Sequence, residues 1–194
     1  PDGIPAIVFD QIDAHGELDL SAARDGIVTG IARGASDMTT GAVPLHFRAE
    51  FDRPVKRAVR VGVDGREGVH GIVEFAGEGN RVTMRLATYF LGPAQATANL
   101  GQLPPGSSVA SVAAAAAAAW DELLGLVRID GATPDTTTTL LSNLYRMFLF
   151  PNIAHEPGPD GSPRYAHRGP DGAVEVIEGR RSVSNGFWDT YRTI

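Results

Sequence analysis

Apolar and polar residues alternate along several short stretches in residues 1–90. In 45–51, apolar residues alternate with histidine, arginine and glutamate, and 81–89 repeats the pattern with Val82, Met84, Leu86 and Thr88 on one face. Period-two alternation is typical of a strand with one face on a core and the other in water. The predicted strands cover 5–9, 26–31, 43–51, 58–63, 71–76 and 80–90. Gly, Pro and Asp clusters between them predict turns, so this part is expected to be an antiparallel β-sandwich.

After residue 92 the apolar spacing changes to three and four, which predicts helices. Residues 93–100 predict a short helix opened by proline, and Ser107 or Ser108 is expected to cap a longer helix over 107–126. The apolar stripe of that helix comprises Val109, Val112, Ala116, Trp120, Leu123 and Val127. A short strand is predicted at 127–130. Thr133 and Pro134 then begin a third helix, ended by Pro151, whose buried face is expected to contain Leu140, Leu141, Leu144, Tyr145, Phe148 and Leu149.

The segment 152–187 is dense in glycine and proline and reads as a long loop. Within it, "GPDGAVEVIEG" predicts a small hairpin with a Pro-Asp-Gly turn. A loop of this length exceeds what compact domains commonly contain, and its aromatic and charged residues favour a functional role. A boundary between the β part and the helical part falls near 101–108.

Composition narrows the classes of protein. The chain has 194 residues, no cysteine and a net charge of −6, and it contains no block of Lys or Arg. Nucleic acid and anionic membranes are therefore not expected partners, and thiolate metal sites and disulfides are excluded. The longest apolar run, 112–120, falls short of the roughly 20 residues that cross a bilayer. Since the chain starts at Pro1 and shows no signal-peptide pattern, we expect a piece of a longer protein.

Residues 188–192, "WDTYR", are the most informative candidate site. Trp188 offers a flat apolar face that suits the C–H face of a sugar, and Asp189 and Arg192 can hydrogen-bond neighbouring hydroxyls. The alternative is a local ion pair between Asp189 and Arg192 beside a core tryptophan.

Two further groups lie in the long loop. His155 and Glu156 form a pair able to bind metal or to shuttle protons, although no second histidine completes a zinc-protease motif. Cationic residues in 164–181, Arg168 among them, suit an acidic or phosphorylated ligand. The alternative for His155 and Glu156 is an ordinary surface pair, and the alternative for the cationic residues is a solvated loop. Phosphate-binding loops, dinucleotide motifs and serine hydrolase motifs do not occur.

Three stretches taken in order resemble glycoside hydrolase family 92, the calcium-dependent exo-α-mannosidases. They are "NRVTMRLATYFLGPAQATANL" (80–100), "AAAWDELLGLVRIDGATPDTTTTLLSNLYRMFLFPN" (117–152) and "NGFWDTYRT" (185–193). Their order and spacing agree with the family across roughly 80–194, whereas residues 1–79 match only as generic sandwich strands. Two departures affect the expected linkage preference: Tyr89 stands where the family usually has serine, and the loop 153–184 differs from the form in many members.

The resemblance implies a mainly β fold: an antiparallel β-sandwich over 1–105, a helical linker over 106–132, and the first segment of an (α/α)6 barrel over 133–194. It also implies inverting hydrolysis of terminal α-mannosides at a site between sandwich and barrel. The catalytic acid, the catalytic base and most calcium ligands are expected downstream of Ile194. The expected substrate-binding residues are Trp188, Asp189, Arg192, Phe187, His155, Glu156 and Arg168. Asp189 would accept hydrogen bonds from mannose, Arg192 would orient it or contact the sugar, and Trp188 would shape the pocket floor.

Several expectations follow from this resemblance. The partner is a mannose-containing glycan, the location is secreted or periplasmic, and the chain alone is expected to be inactive. Leu141, Leu144, Phe148 and Phe187 would be left without barrel partners, so self-association or binding of the missing barrel portion is expected. The alternatives are a carbohydrate-binding β-sandwich module and a mannosyl-phosphodiester hydrolase of the same family.

Overall fold

The computed structural model describes residues 4–10, 14–34, 43–62, 69–149 and 151–183. The strands of the first half are β1 (Ala6–Asp10), β2 (Ala14–Asp19), β3 (Ile27–Gly34), β4 (Leu45–Phe51), β5 (Val55–Arg60), β6 (His70–Phe75) and β7 (Met84–Tyr89). The helices are α1 (Pro93–Leu100), α2 (Val109–Leu124) and α3 (Pro134–Phe148), and a 3-10 turn covers Ala23–Asp25. The short strands that follow are β8 (Asn152–Ile153), β9 (Glu156–Pro157), β10 (Pro163–Arg168), β11 (Val174–Glu178) and β12 (Ser182–Val183).

Two antiparallel sheets form the predicted sandwich. One has the order β1-β6-β5 and the other β2-β3-β4-β7. Phe9 stacks on Phe47 with ring centroids 5.8 Å apart, and Phe51 meets Phe75 edge-on at 5.0 Å, so aromatic pairs join the two inner faces. The buried core contains Leu18, Ala23, Val28, Phe47, Ala49, Val69, Val73 and Phe75. The predicted fold class is confirmed, whereas strand β2 was not predicted.

Helix α1 covers the outer face of the four-stranded sheet at β7. Ala96 and Leu100 are buried against the sheet together with Ala87 and Tyr89 of the strand. The predicted alternation in 81–89 is present, but the outward-facing residues of β7 are more buried than its inward-facing residues, which is the reverse of an ordinary sandwich strand. Met84 and Leu86 face inward yet are 38% and 48% exposed, because β7 is an edge strand and the opposite sheet has only three strands.

The two longer helices begin as predicted. The Ser108 hydroxyl accepts from the Ser111 amide in a capping box, and Thr133 caps α3 with Pro134 in its first turn. Trp120 and Tyr145 pack with ring centroids 4.7 Å apart, which joins α2 to α3. No described residue of either helix is buried. The apolar stripes are half-buried at Trp120, Leu140, Leu141 and Leu144, and their other large residues are mostly exposed. None of the described helices is long and apolar enough to cross a membrane.

Two predictions after residue 126 were wrong. Residues 127–130 form no strand, and they make an irregular connection between α2 and α3. The long loop contains a small β structure, in which β12 pairs with β8 and the sheet order is β11-β10-β9. The predicted hairpin is confirmed as β10–β11, and its turn is closed by the Gly169 amide donating to the Ala173 carbonyl at 2.8 Å. Glycine and proline are dense here because they occupy the turns at 158–162 and 169–173.

Candidate functional site

A pocket of about 500 Å³ lies where the exposed edge of β7, the end of α1 and the small β structure meet. We call it the junction pocket. Its lining mixes leucine side chains with amide, imidazole and carboxylate groups. The lining residues are Leu86, Ala87, Asn99, Leu100, Gln102, Leu103, His155, Glu156 and Pro157. The structure therefore brings two of the sequence-predicted site residues, His155 and Glu156, to one concave surface.

Glu156 uses both carboxylate oxygens to hold the small sheet against the sandwich. Its Oε1 accepts from the side-chain amide of Asn99 at 2.9 Å, and its Oε2 accepts from the Phe90 backbone amide at 3.1 Å. Asn99 Nδ2 also donates to the Thr88 carbonyl at 3.0 Å. Hydrogen bonds to a charged acceptor are stronger than neutral ones. Glu156 thus joins β9 both to the end of β7 and to α1.

Gln95 completes this network from the preceding turn of α1. The residue is buried, and its Nε2 donates to Asn99 Oδ1 and to the Pro157 carbonyl, each at 3.0 Å. The amide group is therefore held by both α1 and β9, as expected for a buried polar group. Sequence reasoning missed Gln95 and Asn99. Their spacing of four within a predicted helix was the available signal, because such residues lie on one helix face.

His155 lies beside Glu156 in sequence but binds a different part of the chain. Its Nδ1 is 3.0 Å from the carbonyl oxygen and 3.2 Å from the amide nitrogen of Arg181. The backbone of Arg181 therefore occupies Nδ1 in either tautomer, and Nε2 is the ring nitrogen that remains for a ligand. The two neighbouring side chains therefore have different partners. His155 contacts the Arg181 backbone just before β12, and Glu156 contacts Asn99 of α1 and the Phe90 amide.

Three arginines of the loop also contact protein groups. The Arg181 guanidinium lies 5.3 Å from the Tyr165 ring centroid, a cation–π geometry. Arg164 pairs with Asp160 at 2.9 Å, and Ser162 lowers the pKa of that aspartate. Arg168 Nη1 donates to the Gly172 carbonyl at 2.6 Å and braces the hairpin turn. Arg168 is not among the residues that line the junction pocket.

The remaining predicted site residues are Phe187, Trp188, Asp189 and Arg192, which lie outside the described residues. Strand β12 ends at Val183 and pairs with β8, with Ser182 opposite Ile153. Val183, the last described residue, therefore lies beside the segment that carries His155. The predicted sugar-binding role of these four residues stays a prediction.

Comparison with known families decides what kind of protein this is. The glycosyl hydrolase family 92 catalytic domain matches residues 95–194, more than half of the chain. The chain belongs to glycosyl hydrolase family 92. The resemblance read from the sequence is confirmed, and the match begins within α1.

Two solved structures are similar to this family 92 chain. An inverting mannosidase of family GH92 from Bacteroides thetaiotaomicron VPI-5482 superposes with a TM-score of 0.74 and 26% sequence identity over 91% of this chain and 25% of its own. A GH92 α-mannosidase from Bacteroides thetaiotaomicron superposes with a TM-score of 0.63 and 21% identity, again over 91% and 25%. The chain thus spans about a quarter of either structure. No curated protein matches the sequence.

The family 92 resemblance raised two points that the described residues address. Tyr89, which departs from the usual serine, is buried under α1 and stacks on His46 with ring centroids 5.2 Å apart. Its ring contributes to the packing of α1 on the sheet and does not line the junction pocket. Calcium was expected to bind mostly downstream. Among the residues that the structure describes, no group of three or more His, Asp or Glu side chains is arranged to hold a metal ion.

Proposed function

We propose that this family 92 chain supplies the sandwich side and the first catalytic-domain segment of an exo-α-mannosidase. The observation that carries the proposal is the catalytic-domain match over 95–194, in a chain whose fold superposes on an inverting mannosidase with a TM-score of 0.74. The substrate class is a mannose-containing glycan with a terminal α-mannoside. A secreted or periplasmic location belongs to the same proposal.

The proposed reaction is hydrolysis with inversion at the anomeric carbon. A carboxylic acid protonates the leaving oxygen while a carboxylate on the other face activates water, with the two groups roughly 6.5–9.5 Å apart. We assign both groups to the part of the catalytic domain that follows residue 194 in the longer relatives. The present chain then binds and orients the sugar, and is inactive without that part.

Residues of this chain have distinct proposed roles. Asp189 accepts hydrogen bonds from mannose hydroxyls, Arg192 orients Asp189 or binds the sugar, and Trp188 forms the floor with Phe187 beside it. His155 adds a donor or acceptor through Nε2, since the Arg181 backbone occupies Nδ1. Glu156 positions β9, and with it His155, because the Asn99 and Phe90 donors already use its two carboxylate oxygens.

Calcium remains part of the proposal for the longer protein, where it would supply a hard cation bound by oxygen ligands. The described residues do not form a calcium site by themselves. No step of the mechanism is therefore assigned to calcium on residues of this chain.

The test of this function uses a longer protein that contains the whole catalytic domain. Proton NMR of the first turnover on an α-mannoside should show β-mannose as the sugar released, because inversion changes the anomeric configuration. Matched glucosides and galactosides should be cleaved far more slowly. Release of α-mannose, or equal cleavage of all the glycosides, would contradict the proposal.

A further inference from the structure

The outer face of the four-stranded sheet carries a second pocket, of about 240 Å³, which we call the sheet pocket. Cross-strand pairing builds its floor from two adjacent rows of side chains. One row contains Glu17, Ile31, His46 and Tyr89, and the next contains Asp19, Thr29, Arg48 and Ala87. Helix α1 covers the β7 end of these rows, and Pro93 and Ala96 line the pocket beside the uncovered part.

The two carboxylates at the far side of the sheet pocket are held in place. Arg33 Nη1 donates to Oε1 of Glu17 at 3.3 Å, and the Ser21 amide donates to Oδ1 of Asp19 at 2.8 Å. A carboxylate has about four lone-pair sites, so each group keeps acceptor capacity for a ligand. Because both are negative, they also disfavour an anionic ligand.

The centre of the floor presents donors as well as acceptors. Arg48 binds Glu50 through Nε and Nη2, each at 2.9 Å, which fixes its guanidinium and leaves Nη1 for a ligand. His46 is oriented by its stack on Tyr89, at an interplanar angle of 20°. Burial, with a smaller effect of Arg33, lowers the pKa of His46, so that its ring is neutral and offers both a donor and an acceptor.

We propose that the sheet pocket binds a single neutral hexopyranose, at a site separate from the junction pocket. A sugar ring needs donors and acceptors around its rim and apolar surface for its C–H groups. Ile31 and Pro93 supply the apolar surface, and the carboxylates, Arg48 and Thr29 supply the polar partners. The volume is below the roughly 300–1,000 Å³ of sites for larger ligands, which fits one ring.

The test measures binding of methyl α-D-mannopyranoside to the full 194-residue chain by saturation-transfer NMR. Thr29→Val removes a hydroxyl at nearly constant volume, and Glu17→Ala removes an exposed carboxylate, so both variants should fold. The matched control is Glu175→Ala, which removes an exposed carboxylate of β11 that lines neither pocket. Circular dichroism checks that all three variants keep the wild-type fold.

We expect millimolar binding that weakens about tenfold in Glu17→Ala and in Thr29→Val, and that Glu175→Ala leaves unchanged. Mannose 6-phosphate should bind more weakly than the neutral glycoside. The proposal is overturned if no saturable binding occurs below roughly 10 mM, if the phosphorylated sugar binds more tightly, or if binding occurs that neither Glu17→Ala nor Thr29→Val weakens. That last result would place the sugar outside the sheet pocket.

Discussion

The side-chain amide of Asn99 donates to the carboxylate of Glu156 at 2.9 Å, across 57 positions of sequence. Asn99 belongs to α1, which packs on the sandwich, and Glu156 belongs to β9 of the small sheet. This contact links the two elements, and both residues lie within the stretch 95–194 that matches the family 92 catalytic domain. We infer that it sets the position of the small sheet relative to β7.

Replacing Glu156 by glutamine should loosen this junction. Glutamine replaces one acceptor oxygen by an amide group, and Asn99 Nδ2 keeps the Thr88 carbonyl as a partner, so we expect the Phe90 amide to lose its acceptor. Because this hydrogen bond is exposed, its loss costs about 0.5–1.5 kcal/mol, which predicts that the Phe90 amide exchanges with solvent roughly 2- to 13-fold faster. Native-state hydrogen exchange measures this directly. Glu175→Gln, an exposed change in the same sheet, is the control, and an unchanged Phe90 rate in Glu156→Gln would refute the assigned role.

Gly30 tests the close packing of β3 on β4. A Cβ at this position would overlap ring atoms of Phe47 and lie 2.7 Å from the Glu17 carbonyl oxygen. Gly30→Ala should therefore lower the free energy of unfolding by about 1–3 kcal/mol, as overpacking does in a close-packed core. Urea unfolding provides the measurement. Gly62→Ala serves as the matched control because no atom lies within 4 Å of its added Cβ, and equal effects of the two changes would contradict the packing described.

His46 should make the stability of the sandwich depend on pH. Burial and then Arg33 lower its pKa from the ordinary 6.5, so the unfolded chain takes up a proton first as the pH falls. The contribution is fully present above about pH 6.5 and is lost as the pH falls through that value toward the folded-state pKa. Urea midpoints measured from about pH 7.5 to about 5 should fall less steeply in His46→Gln than in the wild type. Parallel profiles would show that His46 is not responsible.

Exposed apolar residues of α2 and α3 predict self-association of the 194-residue chain. Val109 and Met147 are each 74% exposed, in helices whose described residues include none that is buried. Contiguous exposed apolar surface favours association, so light scattering should report species larger than a monomer. The double change Val109→Glu with Met147→Lys should shift the population toward the monomer. A monodisperse wild-type monomer would count against this prediction.

Much of the sandwich was predictable because its strands alternate large apolar residues with polar ones. Strand β2 was missed for a physical reason: its inward positions include Gly16, where a Cβ would approach Val69 to 2.8 Å. Glycine has no side chain, so Gly16 does not count as an apolar position when the sequence is searched for alternation. The helices were found through their caps, since Ser108, Thr133 and Pro134 act locally.

The candidate site was predictable only in part. His155 and Glu156 were identified as a pair, but their partners are the Arg181 backbone and Asn99, which no local spacing indicates. The small sheet was read as a loop because its strands are short and its turns hold most of the glycine and proline. Long-range pairing, such as β8 with β12, depends on tertiary structure and leaves no periodic trace in the sequence.

The most direct test of the account is mannose release from α-1,2-mannobiose by the 194-residue chain, with calcium and with a chelator. The account predicts no release by this chain in either condition, together with calcium-dependent release by a longer protein that contains the whole catalytic domain. Calcium-dependent release by the purified 194-residue chain would contradict it, because the catalytic acid and base would then lie within residues 1–194.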